Sequence, residues 1–435
     1  MQTLLNQSAY QAYSYAYPHK SAYRPLEPAR SLRDVWAEEN SRALFLYIHI
    51  PFCEMRCGFC NLFTFARPAT DLYPQYINAL QKQAEQVVEC LEEYSFARFA
   101  IGGGTPTFLD ESSLEAVLNI AQKTLGADNI PTSVEVSPET ATVEKLSLLA
   151  ERGVDRISMG IQSFIEAENK AIHRRQHLKT VNQSLERIRQ SGFASLNLDL
   201  IYGIEGQTVE TWLYSLREVL RFQPEEIYLY PLYVRPLTGL DLKKGHKQPD
   251  KRMQLYQAGR EFLLANGYTQ ISMRLFRAAH APSKNGPIYC CQEDGMLGLG
   301  SGARSYTRAL HYSTEYAVSR SSVKDIILDY CQRPAKSFSV ADYGIVLNDN
   351  DQKRRYFIKS ILHIEGLNLA AYRQHFASDA LTDFPEIAEL LELGLCECDE
   401  QNLTPTSKGL AYSDLIGPWL VSQSVQQRMD TFVLQ

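Results

Sequence analysis

The sequence predicts an α/β fold, a partial (β/α)6 barrel with an N-terminal arm and a small C-terminal helical domain that is winged-helix-like. Two observations carry this prediction. Short apolar runs alternate with amphipathic segments between residues 42 and 240, and the alternation stops after residue 241. Six runs are too few to close an eight-stranded barrel, so an open barrel of parallel strands is expected. The runs are residues 43–50, 97–101, 133–136, 156–161, 195–201 and 226–233.

The segments between these runs carry apolar residues at helical spacing. Several also have start or stop signals: Gly153 follows one segment, Gly192 follows another, and Thr208 precedes the last. The predicted helices are residues 76–93, 114–125, 143–152, 181–190 and 212–222.

Four regions are expected along the chain: an arm (1–41), the partial barrel (42–240), a barrel extension on the substrate side (241–339) and a C-terminal helical domain (340–435). The arm is rich in tyrosine and proline, and it either follows the surface as a leader or folds over a pocket. In the C-terminal domain, 354–363 and 384–393 are predicted helices, and 403–413 is a strand followed by a helix. Because its charge is mixed, we expect a lid or packing domain rather than a DNA-binding module.

Composition excludes several classes of protein. The chain has 44 Lys and Arg against 50 Asp and Glu, a formal charge of −6, and no strongly basic segment, so no nucleic-acid partner is expected. No apolar run approaches the roughly 18 residues of a membrane span, and no signal peptide is visible, so we expect a cytoplasmic protein without a membrane partner. The glycine-rich segment 295–306 does not fit the dinucleotide-binding pattern.

Three of the nine cysteines, Cys53, Cys57 and Cys60, crowd together as C-x3-C-x2-C directly after the first predicted strand. A [4Fe–4S] cluster normally takes four cysteine thiolates, so three would leave one iron open to a ligand that is not protein. Zinc sites use pairs of C-x2-C or a partner His, and here only His49 is near. Structural cysteines clustered by chance are a third alternative. The spacing favours an open-site cluster at the catalytic end of the sheet.

This cysteine spacing resembles the signature of the radical S-adenosylmethionine (SAM) superfamily. The resemblance implies that the open iron binds the amino and carboxylate groups of SAM and that reductive cleavage gives a 5′-deoxyadenosyl radical. It also implies an electron donor such as flavodoxin or ferredoxin. The string Gly102-Gly103-Gly104-Thr105-Pro106 resembles the superfamily's glycine motif, where the absence of Cβ lets the backbone approach SAM. A flexible turn is the alternative interpretation.

More narrowly, the chain is similar to the HemN-like family of oxygen-independent coproporphyrinogen III oxidases, whose relatives include haem chaperones and methyltransferases. The similarity extends from the arm to residue 310 and weakly beyond it. It rests on the strings LYIHIPFC, IGGGTPTFL, SVEVSPET, RISMGIQSF, HRRQ and LNLDLIYG.

The resemblance implies roles for particular residues. The cluster ligands would be the three cysteines named above, and no catalytic side chain is implied because the radical is generated at the cluster. One SAM would lie near Tyr47, Phe59, Gly103 and Glu135, and a second SAM near Gly104, Thr105, Gln162, Arg174 and Asp199. Arg174 can pair with a carboxylate and Asp199 can accept from ribose hydroxyls. Without the resemblance, Glu135 and Asp199 could cap the helices that follow them, and Arg174 could be part of a solvated basic face.

The chain also departs from its relatives. The oxidases carry a further Cys where this chain has Leu62. The haem chaperones carry H-N-x-x-Y-W, whereas the nearest string here, residues 284–290, has Lys284 in place of the His and Cys290 in place of the Trp. The tyrosine-rich arm resembles the oxidase leader. We therefore expect a divergent paralogue with its own substrate.

Three functions remain open at this stage. The first is a radical SAM oxidoreductase that abstracts hydrogen from a small organic substrate, with oxidative decarboxylation of a porphyrinogen implied by the resemblance. The second is a methyltransferase that uses the second SAM, and the third is a haem-binding carrier, which the missing His disfavours. Arg174, Arg235, Arg274 and Arg277 either pair with substrate carboxylates or form a solvated face. A monomer is expected.

Overall fold

A computed structural model describes residues 4–14, 16–241, 250–283 and 289–434. The β-strands in these ranges are β1 (Arg24–Ser31), β2 (Leu44–Ile50), β3 (Phe52–Cys53), β4 (Phe65–Ala66), β5 (Phe96–Gly103), β6 (Thr132–Val136), β7 (Arg156–Gln162), β8 (Ser195–Tyr202), β9 (Glu226–Pro231), β10 (Tyr268–Gln270), β11 (Leu275–Ala278), β12 (Met296–Leu299), β13 (Arg304–Tyr306), β14 (Leu310–Ser313), β15 (Val340–Val346), β16 (Leu367–Asn368), β17 (Cys396–Cys398) and β18 (Asn402–Pro405).

The α-helices in the same ranges are α1 (Leu32–Trp36), α2 (Leu72–Cys90), α3 (Glu111–Asn119), α4 (Val143–Glu151), α5 (Glu166–Ala171), α6 (Leu178–Gln190), α7 (Val209–Leu220), α8 (Arg252–Ala265), α9 (Arg320–Gln332), α10 (Asp349–Ile361), α11 (Leu369–Phe376), α12 (Ala380–Asp383), α13 (Glu386–Glu392), α14 (Ser407–Ala411), α15 (Ser413–Trp419) and α16 (Gln423–Asp430). Among these, none has the length and apolar character that crossing a membrane requires.

The six predicted strands are β2, β5, β6, β7, β8 and β9, and each pairs in parallel with the next. This confirms the prediction of a partial α/β barrel. The sheet is larger than predicted, with thirteen strands in the order β1-β15-β14-β13-β12-β2-β5-β6-β7-β8-β9-β11-β10. The parallel run is extended by β12, which pairs with β2.

Strand β12 was not predicted, because its four residues lie within the glycine-rich segment 295–306. The glycines allow the chain to reverse direction between β12 and β13. Gly300 and Gly302 have φ angles of +92° and +87°, and a Cβ on Gly298 would collide with the backbone of Arg304 on the neighbouring strand. Such positive φ angles favour glycine over every other residue.

The predicted barrel helices are present with shifted ends. Helices α4 and α7 begin directly after Thr142 and Thr208, whose side chains accept hydrogen bonds from backbone N–H groups in the first turn. The predicted helix 114–125 is α3 followed by a π-helical turn, Ile120–Thr124. Helix α5 was not predicted, since its six residues are mostly polar.

Alternation along β2 decides which side chains face the barrel interior. Leu44, Leu46 and Ile48 are fully buried in the hydrophobic cluster that includes the barrel helices. Tyr47 and His49 therefore project from the opposite, inner face of the strand.

The described residues of the arm pack against the barrel. Strand β1 pairs antiparallel with β15 at the edge of the sheet. The Tyr10 ring lies 6.2 Å from the ring of Tyr202 at the end of β8. Tyr13 stacks 3.7 Å from the Arg274 guanidinium. The arm therefore covers part of the barrel end at which the parallel strands finish.

The C-terminal region has its own hydrophobic cluster, to which Tyr17 and Tyr23 of the arm also contribute. The predicted helices 354–363 and 384–393 correspond to α10 and α13, and the predicted strand and helix over 403–413 are β18 and α14. Strands β16, β18 and β17 form a small antiparallel sheet beside these helices.

Candidate functional site

The three cysteines lie in one loop that leaves the end of β2 and is fixed on both sides. Within the loop, β3 pairs with β4, and the backbone N–H of Arg67 donates to the carbonyl of Cys53 at 2.9 Å. Gly58, between the second and third cysteines, donates to the Ile172 carbonyl at 2.9 Å and accepts from the Leu240 N–H at 2.8 Å. The loop is thereby attached to the segments that follow β7 and β9.

Two of the three thiols, those of Cys53 and Cys57, accept hydrogen bonds from side chains outside the cysteine loop. The Thr105 hydroxyl donates to Cys53 Sγ at 3.7 Å, and Arg174 Nη1 donates to Cys57 Sγ at 3.5 Å. Burial, with the nearby Cys60, raises the pKa of the Cys53 thiol to about 12, and burial raises the pKa of Cys60. A metal must therefore displace protons from these thiols when it binds.

This donor set fits an iron–sulfur cluster better than a single ion. In the part of the chain that the structure describes, no three His, Cys, Asp or Glu side chains converge on one metal ion. A [4Fe–4S] cluster binds each thiolate at a different iron, so its cysteine ligands need not converge on one position. Three half-buried thiols with hydroxyl and guanidinium donors match such a group and its need for outer hydrogen bonds.

His49, the one histidine considered for a zinc site, is engaged elsewhere. Its Nε2 lies 2.9 Å from the Phe63 carbonyl and its Nδ1 lies 3.1 Å from the Tyr47 hydroxyl. Burial lowers the pKa of His49 to about 4. Its role is to connect β2 to the cysteine loop.

The glycine motif at the end of β5 is packed against protein on three sides. A Cβ on Gly102 would lie 2.9 Å from the Glu135 carboxylate. Gly103 has a φ of +111°, and its Cβ would overlap the His49 ring. A Cβ on Gly104 would overlap the Phe52 carbonyl of the cysteine loop. Close approach of protein segments is therefore sufficient reason for all three glycines.

Gly103→Ala should lower the free energy of unfolding by roughly 1–3 kcal/mol more than Gly153→Ala does. Both glycines have positive φ, but an added Cβ at Gly153 meets nothing within 4 Å, whereas at Gly103 it meets the His49 ring. Urea denaturation of both variants measures the difference. Equal losses would show that the contact with His49 is unimportant.

Glu135 lies on the inner side of β6 between the buried Val134 and Val136. Its side chain is solvent-accessible. Its Oε2 accepts from the Gly103 N–H at 3.0 Å. Burial raises its pKa to about 7, and the charge of Asp199 also raises it. The carboxylate therefore fixes the glycine motif through one of its two oxygens.

Asp199 lies on β8, and Arg174 lies in the segment between α5 and α6. Asp199 Oδ1 accepts from Asn197 Nδ2 at 2.8 Å, and burial raises the pKa of Asp199 to about 6. Arg174 donates to the Gly160 carbonyl on β7 and, at 2.8 Å, to the Gln176 side chain. The guanidinium thus connects the bulged end of β7 to Cys57.

The structure brings most of the predicted residues into one network. Thr105 and Arg174 contact cysteines, Glu135 contacts Gly103, and Asp199 is close enough to raise the pKa of Glu135. Glu135 in turn raises the already elevated pKa of Tyr47. The remaining three residues stand apart from these side-chain contacts. The Gly104 N–H donates to the Ile50 carbonyl, Phe59 packs on an apolar cluster, and Gln162 has a φ of +68° at the β7 bulge.

The candidate carboxylate-binding arginines are mostly occupied. Arg274 is buried and forms an ion pair of 2.5 Å with Asp414 of α15. Arg277 lies 3.9 Å from Glu226, and Arg235 stacks on Tyr233 at 4.3 Å. The comparison with the chaperone motif falls largely on residues 284–288, which lie outside the described residues. Sequence analysis did not predict Lys20 and Arg304, whose charges affect the His49 pKa, because they are remote from the motifs.

Comparisons with known proteins agree with this geometry. A family model described as the radical SAM superfamily matches residues 47–219, and one described as the HemN C-terminal domain matches residues 347–412. An oxygen-independent coproporphyrinogen III oxidase of Helicobacter pylori is 33% identical over 402 residues, covering 85% of this chain and 84% of the relative. The haem chaperone HemW of Bacillus subtilis is 32% identical over 270 residues, covering 60% of this chain and 70% of the relative.

The solved structure of coproporphyrinogen III oxidase (HemN) from Escherichia coli has the same fold. It superposes with a TM-score of 0.78 at 23% identity and covers 98% of this chain and 97% of its own. Together, the two family models, the relatives above 30% identity and the cysteine loop at the end of the first barrel strand lead to one conclusion. The chain belongs to the HemN-like family of the radical SAM superfamily, which contains both coproporphyrinogen III oxidases and haem chaperones.

Proposed function

We propose that this chain is an oxidoreductase that removes hydrogen from a porphyrinogen-like substrate and releases carbon dioxide. The observation that carries the proposal is the environment of the thiols. Thr105 follows β5 and Arg174 lies between α5 and α6, yet each donates to a cysteine of the same loop. Such outer donors are what an iron–sulfur cluster requires of a protein.

The residues around the loop would hold the cofactors. Cys53, Cys57 and Cys60 would hold three irons of a [4Fe–4S] cluster, and that cluster would supply the electron for SAM cleavage after reduction by a donor such as flavodoxin or ferredoxin. The Glu135 carboxylate would accept from the SAM ammonium group, and Phe59, which is half-buried, would lie against the adenine. The chain thereby orients SAM and limits the access of water to it.

A second SAM is proposed on the other side of Arg174. The guanidinium can pair with its carboxylate, and the free oxygen of Asp199 can accept from its ribose. Gly104, Thr105 and Gln162 border the same space by resemblance. This second molecule would serve either as a second oxidant or as a methyl donor.

The share of this chain that aligns with each relative favours the oxidase reaction over the carrier function. Alignments with oxidases of Escherichia coli and Pseudomonas aeruginosa cover 86% and 92% of this chain, whereas the alignment with the Bacillus subtilis chaperone covers 60%. Leu62, at the position of the oxidases' additional cysteine, is 49% exposed. That difference supports a paralogue whose substrate differs in detail from coproporphyrinogen III.

The test is product analysis after anaerobic reconstitution with iron and sulfide. With dithionite, SAM and coproporphyrinogen III, we expect 5′-deoxyadenosine to increase with the porphyrinogen, and carbon dioxide and a vinyl product to form. S-adenosylhomocysteine in place of these products would contradict the proposal and indicate a methyltransferase. Stoichiometric haem binding without SAM cleavage would contradict it and indicate a carrier.

A further inference from the structure

Two adjacent cysteines outside the cysteine loop share one turn and take no part in the proposed function. Cys290 and Cys291 are both free and half-buried. Each Sγ lies 3.3 Å from the same atom, Gln292 Oε1, so the two sulfurs are no more than twice this distance apart. The Cys290 N–H donates to Asp294 Oδ2 at 2.6 Å, and the Asp294 N–H donates to the Cys290 carbonyl at 2.8 Å. The turn thus holds the two thiols close to each other.

Helix α10 fixes this turn from outside. Arg355 donates from Nη2 to the Cys291 carbonyl at 3.1 Å and from Nη1 to the Gln292 carbonyl at 2.7 Å. The Tyr356 hydroxyl donates to Glu293 Oε1 at 3.1 Å. These bonds engage the backbone and the Glu293 side chain, so α10 fixes the turn and leaves the two thiols available for chemistry.

Two thiols alone do not make a metal centre. Among the residues that the structure describes, no three His, Cys, Asp or Glu side chains could hold one ion, and structural zinc takes four ligands. Burial raises the pKa of the Cys290 thiol, which also opposes metal binding because a metal ligand must be a thiolate. Exchange with a disulfide needs only two neighbouring thiols, one of them ionised at a time, and this is the chemistry that the pair fits.

A disulfide between neighbouring residues would be strained. Successive Cα atoms are about 3.8 Å apart across a trans peptide, whereas disulfides usually join Cα atoms about 4.4–6.8 Å apart. Strained disulfides are reduced more readily than structural ones and are typical of labile or regulatory pairs. Because both thiols are only half-buried, a small molecule can reach them. The pair is therefore suited to reversible oxidation rather than to permanent cross-linking.

We propose that Cys290 and Cys291 form a thiol–disulfide exchange site whose oxidant is a small-molecule disulfide. The thiolate of one cysteine attacks this disulfide, forms a mixed disulfide and releases the first small thiol. The second cysteine then attacks the cysteine sulfur of the mixed disulfide, which forms the bond between Cys290 and Cys291 and releases the second small thiol. Two electrons pass to the small disulfide, and the departing thiols take up the two protons that the cysteines lose. Neither the cluster nor SAM uses these cysteines, so the exchange site is independent of the proposed function.

Incubation of the reconstituted, cluster-loaded protein with glutathione disulfide under anaerobic conditions tests the proposal. After free thiols are blocked, trypsin releases residues 285–304, which contain both cysteines, as one peptide. We expect this peptide to be lighter by two hydrogen atoms and free of glutathione. The linked form should exceed the glutathione adduct by roughly tenfold or more, because the second attack is intramolecular. Reduced glutathione should then restore both thiols, and mass spectrometry measures each form.

Cys290→Ser and Cys291→Ser separate exchange within the pair from general thiol oxidation. Each variant retains one thiol of the pair, so the same peptide should carry one glutathione and form no internal link. Cys398→Ser is the matched control. It removes an exposed thiol that has no cysteine on an adjacent residue, so the link between Cys290 and Cys291 should form as in the wild type.

In the wild-type protein, Cys398 is also an internal standard, because an exposed thiol should accept glutathione under these conditions. A 285–304 peptide that stays fully reduced while Cys398 is modified would overturn the proposal. A peptide that carries glutathione on both cysteines would overturn it as well. A link that reduced glutathione fails to open would contradict reversible exchange and indicate a permanent cross-link.

Discussion

Cys57→Ala should prevent assembly of a complete [4Fe–4S] cluster and lower reductive SAM cleavage by more than roughly a hundredfold. Cys57 is the middle cysteine of the loop and the one to which Arg174 donates at 3.5 Å. Without its thiolate, one more iron would lose its protein ligand. The measurements are iron and sulfide content after anaerobic reconstitution, the electron paramagnetic resonance signal after reduction, and 5′-deoxyadenosine yield.

Cys398→Ala is the matched control for this variant. Cys398 is an exposed free thiol on β17, in the C-terminal region, so its loss should leave both cluster content and SAM cleavage unchanged. A Cys57→Ala protein with full iron content and wild-type SAM cleavage would show that the loop does not hold the cluster. A loss in the control as large as that in Cys57→Ala would indicate general thiol damage.

Glu135→Gln should weaken SAM binding by roughly tenfold to a hundredfold without changing iron content. The substitution keeps an oxygen for the Gly103 N–H and removes the negative charge proposed to meet the SAM ammonium. Equilibrium dialysis of SAM with the reconstituted protein measures the effect. Glu151→Gln, at an exposed position at the end of α4, is the control for loss of a carboxylate.

The same variant predicts a difference in pH dependence. Because the pKa of Glu135 is raised to about 7, its ionised fraction rises through neutral pH, and wild-type SAM affinity should rise with it. In Glu135→Gln this increase should disappear, apart from any contribution of Asp199, whose pKa is raised to about 6. If SAM affinity changed with pH in the same way in both proteins, Glu135 would not be part of the SAM site.

The parts of the fold that follow local rules could be predicted from the sequence. The six barrel strands are short segments rich in apolar residues, and the cysteine loop lies at the end of the first of them. Strand β12 escaped prediction because four residues between glycines give no periodicity. The course of the arm also could not be inferred, because it depends on pairing between β1 and β15, which are about 300 residues apart along the chain.

The candidate site was predictable only where a motif marks it. The cysteines and glycines are consecutive or nearly so, and the resemblance assigns them together. The bond between Glu135 and Gly103 depends on the register of two parallel strands, which the sequence does not state.

The central claim is that this chain uses three thiolates to hold a cluster that cleaves SAM. The most direct test is to measure 5′-deoxyadenosine formed per chain by the reconstituted wild-type protein with dithionite and SAM under anaerobic conditions. We predict formation that requires both reductant and cluster and is absent in Cys57→Ala. A fully loaded, reduced wild-type protein that binds SAM and forms no 5′-deoxyadenosine, with or without porphyrinogen, would contradict the account.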